Sequence, residues 1–311
     1  MYNLSIVIPI HEHRTHFFNL IKQLKSQKRD DTEIVVVGDC YKPENDEWIS
    51  KDIRFVYSNK KLYAGLARNK GFKESKGKYV LFLDSDIQLS NVFINQIYSL
   101  LNEENIIISC FPQTEFKTKN IFSRFRALNE KYTTWYVYKK RSVIKELHGY
   151  ACLFKKDIFK KSGGWSDIIT TEHEEYANRI RNLNIPITLE YNIFVGAYHR
   201  PTVILTSYER ALYWTMMKLD GKVDFDDTKS FYVAIGSILP VLILVNILGG
   251  QFIITGGLYV LYTFWFRKFL WFLFKETNIQ YLLVHLCHML WITLALFGAG
   301  VGFIKFLISR R

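Results

Sequence analysis

From Phe231 to Gly250 the chain carries no charged side chain, and Gln251 to Phe266 is again uncharged until Arg267-Lys268 interrupts it. Ile279 to Phe303 holds only His285 and His288 as ionisable groups. Roughly 20 apolar residues suffice for a helix to cross a bilayer, and backbone in hydrocarbon must satisfy its own hydrogen bonds. A soluble core explains three such runs poorly, because they leave no polar face. An all-α membrane region over 231–311, with two to three hydrophobic helices, is therefore expected. Tyr262, Trp265, Trp271 and Tyr281 suit its interfaces. With the preceding domain cytosolic, three crossings would put Lys305, Arg310 and Arg311 outside, against the positive-inside tendency. Phe266 to Phe274 is amphipathic enough to lie in the interface instead.

The residues before this region read differently. Leu4–Ile10 is a buried strand ended by Pro9, which cannot donate to a ladder. Phe17, Leu20, Ile21 and Leu24 then fall at helical spacing. Glu33–Asp39 and Ile53–Tyr57 are further strands, and Tyr79–Leu83 is a five-residue apolar run suited to the middle of a parallel sheet. Strands alternating with helices predict an α/β domain with right-handed crossovers. The 41 Lys+Arg against 29 Asp+Glu give a net charge of +12 and point to an anionic partner. No basic run with interleaved aromatics lies on an expected helix, which argues against nucleic acid. Cys40, Cys110, Cys152 and Cys287 are scattered, as suits reduced thiols in a cytosol. Met1-Tyr2-Asn3-Leu4 leads straight into a strand, so no signal peptide is expected.

Tyr79–Leu83 stops at Asp84-Ser85-Asp86. Ligands of open α/β sheets bind at the carboxyl ends of strands. Two hard oxygen ligands one residue apart suit Mg²⁺ or Mn²⁺ bridging to phosphate oxygens.

Ser5 to Pro9, Val35 to Asp39, Gly65-x-Ala67-Arg68-Asn69-x-Gly71 and Leu83-Asp84-Ser85-Asp86 occur in one order. Together they resemble the family 2 glycosyltransferases of the GT-A fold, a Rossmann-like, mostly parallel sheet with flanking helices. The resemblance covers about residues 4 to 200. It implies that Pro9 and its loop (His11, Glu12) and Asp39 hold the base and ribose of a nucleoside-diphosphate sugar. It implies also that Arg68 supports the nucleotide and that Asp84 and Asp86 carry the metal on the diphosphate. The chain departs from the family at His11-Glu12-His13, at Gly38 in place of an aspartate, and at Cys40-Tyr41.

A second constellation follows. Gly163-Gly164-Trp165-Ser166-Asp167 matches the family's glycine turn, whose glycines permit positive φ near the acceptor; Gly164 and Trp165 are assigned to the acceptor side. Against the family's Glu-Asp helix start, Glu172, Glu175 and Arg179 match, and His173 stands where the family places its general base. Histidine is competent for that step, and Glu172 or Glu174 could orient it or replace it. His199 is a candidate third metal or diphosphate contact. A Gln-x-x-Arg-Trp motif is missing around Tyr208 to Trp214, which argues for addition of one or a few sugars.

The expected architecture is thus a GT-A catalytic domain over 1–205, an interfacial helix or linker over 206–230, and the membrane region. The expected protein is a multi-pass membrane enzyme with its catalytic domain in the cytoplasm. It would transfer a sugar with inversion, using Mg²⁺ or Mn²⁺, to a saccharide or lipid-linked acceptor in contact with membrane lipid. The alternative is a non-catalytic membrane subunit with a degenerate nucleotide-sugar domain.

Overall fold

The computed structural model describes residues 2–12, 15–43, 48–101, 107–112, 120–132, 142–144, 147, 149–168, 172–197, 206–220, 227–277 and 281–309. The chain divides into two compact units, Met1–Phe116 with Thr133–Tyr198, and Lys117–Tyr132 with His199–Arg311.

The first unit is built on a sheet ordered β3-β2-β1-β4-β8-β6-β9-β5, with β7 paired to β9. Its parallel half comprises β1 (Leu4–Ile10), β2 (Thr32–Asp39), β3 (Ile53–Ser58) and β4 (Tyr79–Leu83). The sheet continues antiparallel from β4 to β8 (Ala151–Lys155), then through β6 (Ile107–Pro112) to β9 (Ile187–Ala197), with the short β5 (Ile87–Leu89) and β7 (Ser142–Ile144) on β9. This is the expected α/β class.

Alternate residues feed opposite faces. Ile6, Ile8, Val36 and Leu81 pack with α1 (Thr15–Gln27) and α3 (Phe93–Leu100), whereas Val7, Val37, Val80 and Phe82 pack with α2 (Tyr63–Glu74), α5 (Lys156–Lys161) and α6 (Glu172–Asn182). Because both faces are covered, β2 and β4 are buried throughout and show no polar alternation. At the amino edge, Ser5 Oγ donates to Glu33 Oε1 at 2.6 Å and accepts the Gly77 N–H at 2.7 Å, fixing the entry to β4.

Pro9 does not end its strand. It pairs with Val37 inside β1, beyond Val7↔Phe82, the last pair with β4. One side of β1 has no partner strand there, so a missing donor costs the ladder nothing.

The second unit is helical: α4 (Ile121–Tyr132), α7 (Thr206–Leu219), α8 (Asp227–Leu248), α9 (Phe252–Trp265), α10 (Arg267–Thr277) and α11 (Tyr281–Ser309). Phe125, Leu128, Tyr262, Phe269, Phe272 and Ile292 belong to its core, so α4 joins these helices although strands of the first unit flank it in sequence. α7 packs along α11. Among the described residues one helix is long and apolar enough to cross a membrane, within α11 at His285–Ser309; Ile238–Leu248 and Phe252–Trp265 are apolar but shorter. α8 itself runs 22 residues from Asp227 to Leu248, and a turn at Gly249-Gly250 separates it from α9. Much apolar surface stays uncovered, with Ile253 93% and Leu248 80% exposed.

Candidate active site

The ends of β2 and β4 and the starts of α2 and α6 meet at the carboxyl edge of the parallel strands. Asp39 closes β2 and is buried. Its Oδ1 accepts the Leu62 N–H at 2.6 Å, its Oδ2 accepts the Tyr63 N–H at 3.0 Å, and Lys61 Nζ lies 3.1 Å from Oδ2. A carboxylate from another strand thereby satisfies orphan donors of α2, whose own cap residue Leu62 supplies none. Tyr63, at φ 57°, is held in the left-handed region by the same bond.

Five residues along α2 stands Arg68, 2% exposed. Its Nη1 donates to Glu172 Oε1 at 2.7 Å and its Nη2 to Asp84 Oδ1 at 2.6 Å, with a longer bond to the Gly149 carbonyl. The guanidinium lies 5.0 Å from the Trp165 ring centroid. One planar cation thus joins the end of β4 to the start of α6. A lysine could not span both partners in this geometry. The Asp84 N–H also bonds to the Tyr150 carbonyl, which fixes the strand end.

The next residue, Asn69, clamps the glycine turn. Its amide donates to the Trp165 carbonyl at 2.7 Å and accepts the Trp165 N–H at 2.9 Å. Gly163 and Gly164 sit at φ 83° and 70°, as the sequence predicts, and a Cβ on Gly164 would stand 2.7 Å from Asn69 Oδ1. From the other side Arg179 donates to the Ser162 and Gly164 carbonyls and grips Glu175 with two bonds of 2.6 and 3.0 Å. Asn69→Ala should lower stability by about 1–3 kcal/mol, since it strands two part-buried backbone groups; urea unfolding measures this, and an unchanged midpoint would refute the clamp.

His173 lies between its neighbours, with Nε2 3.0 Å from Glu174 Oε1 and Nδ1 3.9 Å from Glu172 Oε2. Burial would lower its pKa, but Glu174 and then Glu172 outweigh this and push it up to about 9. Burial likewise raises Glu172, yet His173 and Arg68 hold it well below the ordinary carboxylate range. Asp84 moves the other way. Burial, helped by Asp86 and Glu172, overcomes Arg68 and lifts it to about 6. Asp84 and Glu172 share Arg68, Glu172 and Glu174 flank His173, and Asp86 lies close enough to Asp84 to raise it.

A model of glycosyl transferase family 2 matches residues 5–163. The chain belongs to that family. A family relative, an uncharacterized glycosyltransferase of Haemophilus influenzae, is 24% identical over 194 residues, covering 61% of this chain and 65% of that protein. Among the curated relatives the aligned part spans from 16% to 65% of the relative's own length. The fold is shared with the mannosyltransferase PcManGT of Pyrobaculum calidifontis, solved with GDP-Man and Mn²⁺, at a TM-score of 0.55 and 12% identity over 99% of this chain and 88% of that one. It is shared also with residues 1–349 of S. aureus TarS in complex with UDP-GlcNAc, at 0.50 and 12% over 97% and 92%.

Of the residues that the family resemblance singles out, Asp84, Asp86, Arg68, Glu172, His173 and Glu174 come together. His11 and Glu12 form a solvent-exposed pair, 3.6 Å apart, past the end of β1. Trp165 is 3% exposed, and its ring packs among Phe82, Phe154, Phe159 and Tyr176. It packs in the core with Tyr176 and Phe82, beneath the Arg68 guanidinium. His199 lies outside the described residues. Gly38, where the family usually has aspartate, has a steric reason: a Cβ there would stand 2.2 Å from the Tyr41 carbonyl and 2.5 Å from the Phe55 ring. Asn69 and the Gly149 carbonyl were not singled out as site residues; the pairing of Asn69 with Arg68 on α2 was the available signal.

The carboxylates suit the divalent cation that the family implies. Asp84 and Asp86 are hard oxygen donors; burial first and the neighbouring Asp86 second lift Asp84, and a bound cation would favour its charged form. Among the described residues no cluster of three or more His, Cys, Asp or Glu side chains could hold a metal. Few protein ligands suit an Mg²⁺-type ion, which keeps waters and takes substrate phosphates.

Proposed function

We propose that this protein transfers a sugar, with inversion, from a nucleoside-diphosphate sugar to a hydroxyl of a saccharide or lipid-linked acceptor. The observation that carries this reading is the Arg68 bridge, which ties the Asp84-Ser85-Asp86 end of β4 to the acidic start of α6. The named ligands of PcManGT and TarS support a nucleotide-sugar donor.

Asp84 and Asp86 would hold Mg²⁺ or Mn²⁺, which supplies charge neutralisation for the departing diphosphate. Arg68 keeps Asp84 in place without itself reaching solvent. The acceptor oxygen forms the new bond to the sugar's anomeric carbon, the bond to the diphosphate breaks with its electron pair, and the acceptor proton passes to a base. His173 is already protonated near neutrality and Glu172 is held by Arg68, so Glu174 is the base. His173 orients it through the 3.0 Å contact. The domain over 1–205 is the catalytic part and faces the cytoplasm; 206–230 connects it to a membrane region over 231–311.

Asp86→Asn should reduce metal-dependent transfer by at least about 10²-fold at saturating donor while leaving the melting temperature near wild type. Release of nucleoside diphosphate from a panel of nucleotide sugars, with and without Mn²⁺, measures it. Full activity in the variant without metal would overturn the metal assignment. No turnover of any donor by the wild-type chain would favour the non-catalytic reading.

A further inference from the structure

α10 presents two contrasting faces. Phe269, Leu270, Phe272 and Leu273 are buried in the helical core, while Arg267, Lys268, Trp271, Phe274 and Lys275 face outward. Trp271 and Phe274 are 59% and 50% exposed and stack with ring centroids 5.7 Å apart. Cations flank them on both sides. The Arg267 guanidinium lies 4.5 Å from the Phe264 ring centroid and donates to the Phe264 carbonyl at 3.0 Å, and Lys275 Nζ lies 5.2 Å from the Trp271 ring. Between α9 and α10 runs an open groove of about 610 Å³, lined by Thr263, Arg267, Lys268, Leu270, Trp271 and Phe274.

Large exposed aromatics interleaved with cations are costly toward water and suit the headgroup level of a membrane, where the ring is half-solvated and the charge meets phosphate. The neighbouring α9 and α11 also expose apolar side chains, such as Ile253, Val260, Phe297 and Leu290. We propose that α10 lies in the membrane interface and that its groove binds an anionic phospholipid, with Arg267 and Lys268 on the headgroup phosphate and the acyl chains along Trp271 and Phe274. Charge selects this occupant. The α10 sequence carries Arg267, Lys268 and Lys275 against Glu276 alone, and two of those cations line the groove itself. The proposal rests on reading α11 as membrane-inserted and not on the transfer chemistry.

The purified chain in a neutral detergent provides the test, with phosphatidylglycerol, phosphatidylcholine of matched acyl chains, and a polyprenyl phosphate as probes. Phosphatidylglycerol should raise the melting temperature by on the order of 2–4 °C. Phosphatidylcholine should not, and the shift should shrink in about 0.5 M NaCl as the ion pairs are screened. In the double variant Arg267→Gln/Lys268→Gln, whose side chains are exposed, the shift measured from that variant's own lipid-free melting temperature should vanish. Equal shifts from the two phospholipids, or a full shift in the double variant, would overturn the proposal. A shift from the polyprenyl phosphate alone would also overturn it, since the groove would then belong to the acceptor. Recovery of the wild-type chain in the soluble fraction would overturn both the groove and the reading of α11.

Discussion

Replacing Arg68 by methionine should destabilise the first unit by about 3–5 kcal/mol, because it removes the cation from between two carboxylates that remain. Methionine approximates the length of the side chain and keeps contact with Trp165, so the change is chiefly one of charge. The stranded groups are not equivalent. Glu172 has a side chain only 8% exposed and loses a 2.7 Å partner, whereas Asp84, at 27%, can recruit water or a cation. Most of the cost therefore falls on Glu172, and Arg68→Met/Glu172→Gln should recover a substantial part of it. For a domain of this size the single variant should melt on the order of 10 °C lower. Thermal unfolding of the two variants checks this, and a single variant as stable as wild type would show that the bridge contributes no net stability. Mn²⁺ should restore little in either variant, since a cation on Asp84 and Asp86 does not replace the partner of Glu172.

That bridge marks where the sequence stops being informative. The burial of β4 is legible because Tyr79–Leu83 has no polar position, which only a doubly covered strand tolerates. The glycine turn is legible because Gly163 and Gly164 adopt a backbone conformation that other residues resist. Arg68 and Glu172, by contrast, are separated by 104 positions, and no local pattern pairs them. Trp165 followed the same course. Next to a turn it resembles a surface aromatic, and only the fold reveals that it fills the core under the guanidinium. α4 is similar: Phe125 and Leu128 are buried among helices far along the chain, with which no local pattern pairs them. The division of the apolar sequence after Gly250 is legible as well, and the backbone turns there, at Gly249-Gly250 between α8 and α9.

At pH 7, Glu174→Gln should lower the transfer rate by roughly 10²–10⁴-fold, the usual cost of a missing general base. The alternative base, His173, makes an opposite prediction about pH. With a pKa pushed up to about 9, only about 1% of His173 is neutral at pH 7, so a histidine base would give a rate rising about tenfold per pH unit toward pH 9. If Glu174 is the base, the rate of the wild-type chain should instead be level across the neutral range, with no limb near pH 9 of that sign. Stability supplies a second reading of the same group. Because the folded pKa of His173 is raised above the ordinary value near 6.5, the stability it contributes is complete below that value and is lost as pH rises through about 9. The melting temperature of the wild-type chain should accordingly fall between about pH 6.5 and 9, and His173→Asn should flatten that fall while keeping more activity than Glu174→Gln. The nearest groups facing His173 are Glu172 and Glu174 on its own helix, with Arg68 behind Glu172, so Glu174→Gln should also lower the His173 pKa. A Glu174→Gln variant with wild-type rate, together with a tenfold rise per pH unit in the wild-type chain, would return the proton to His173.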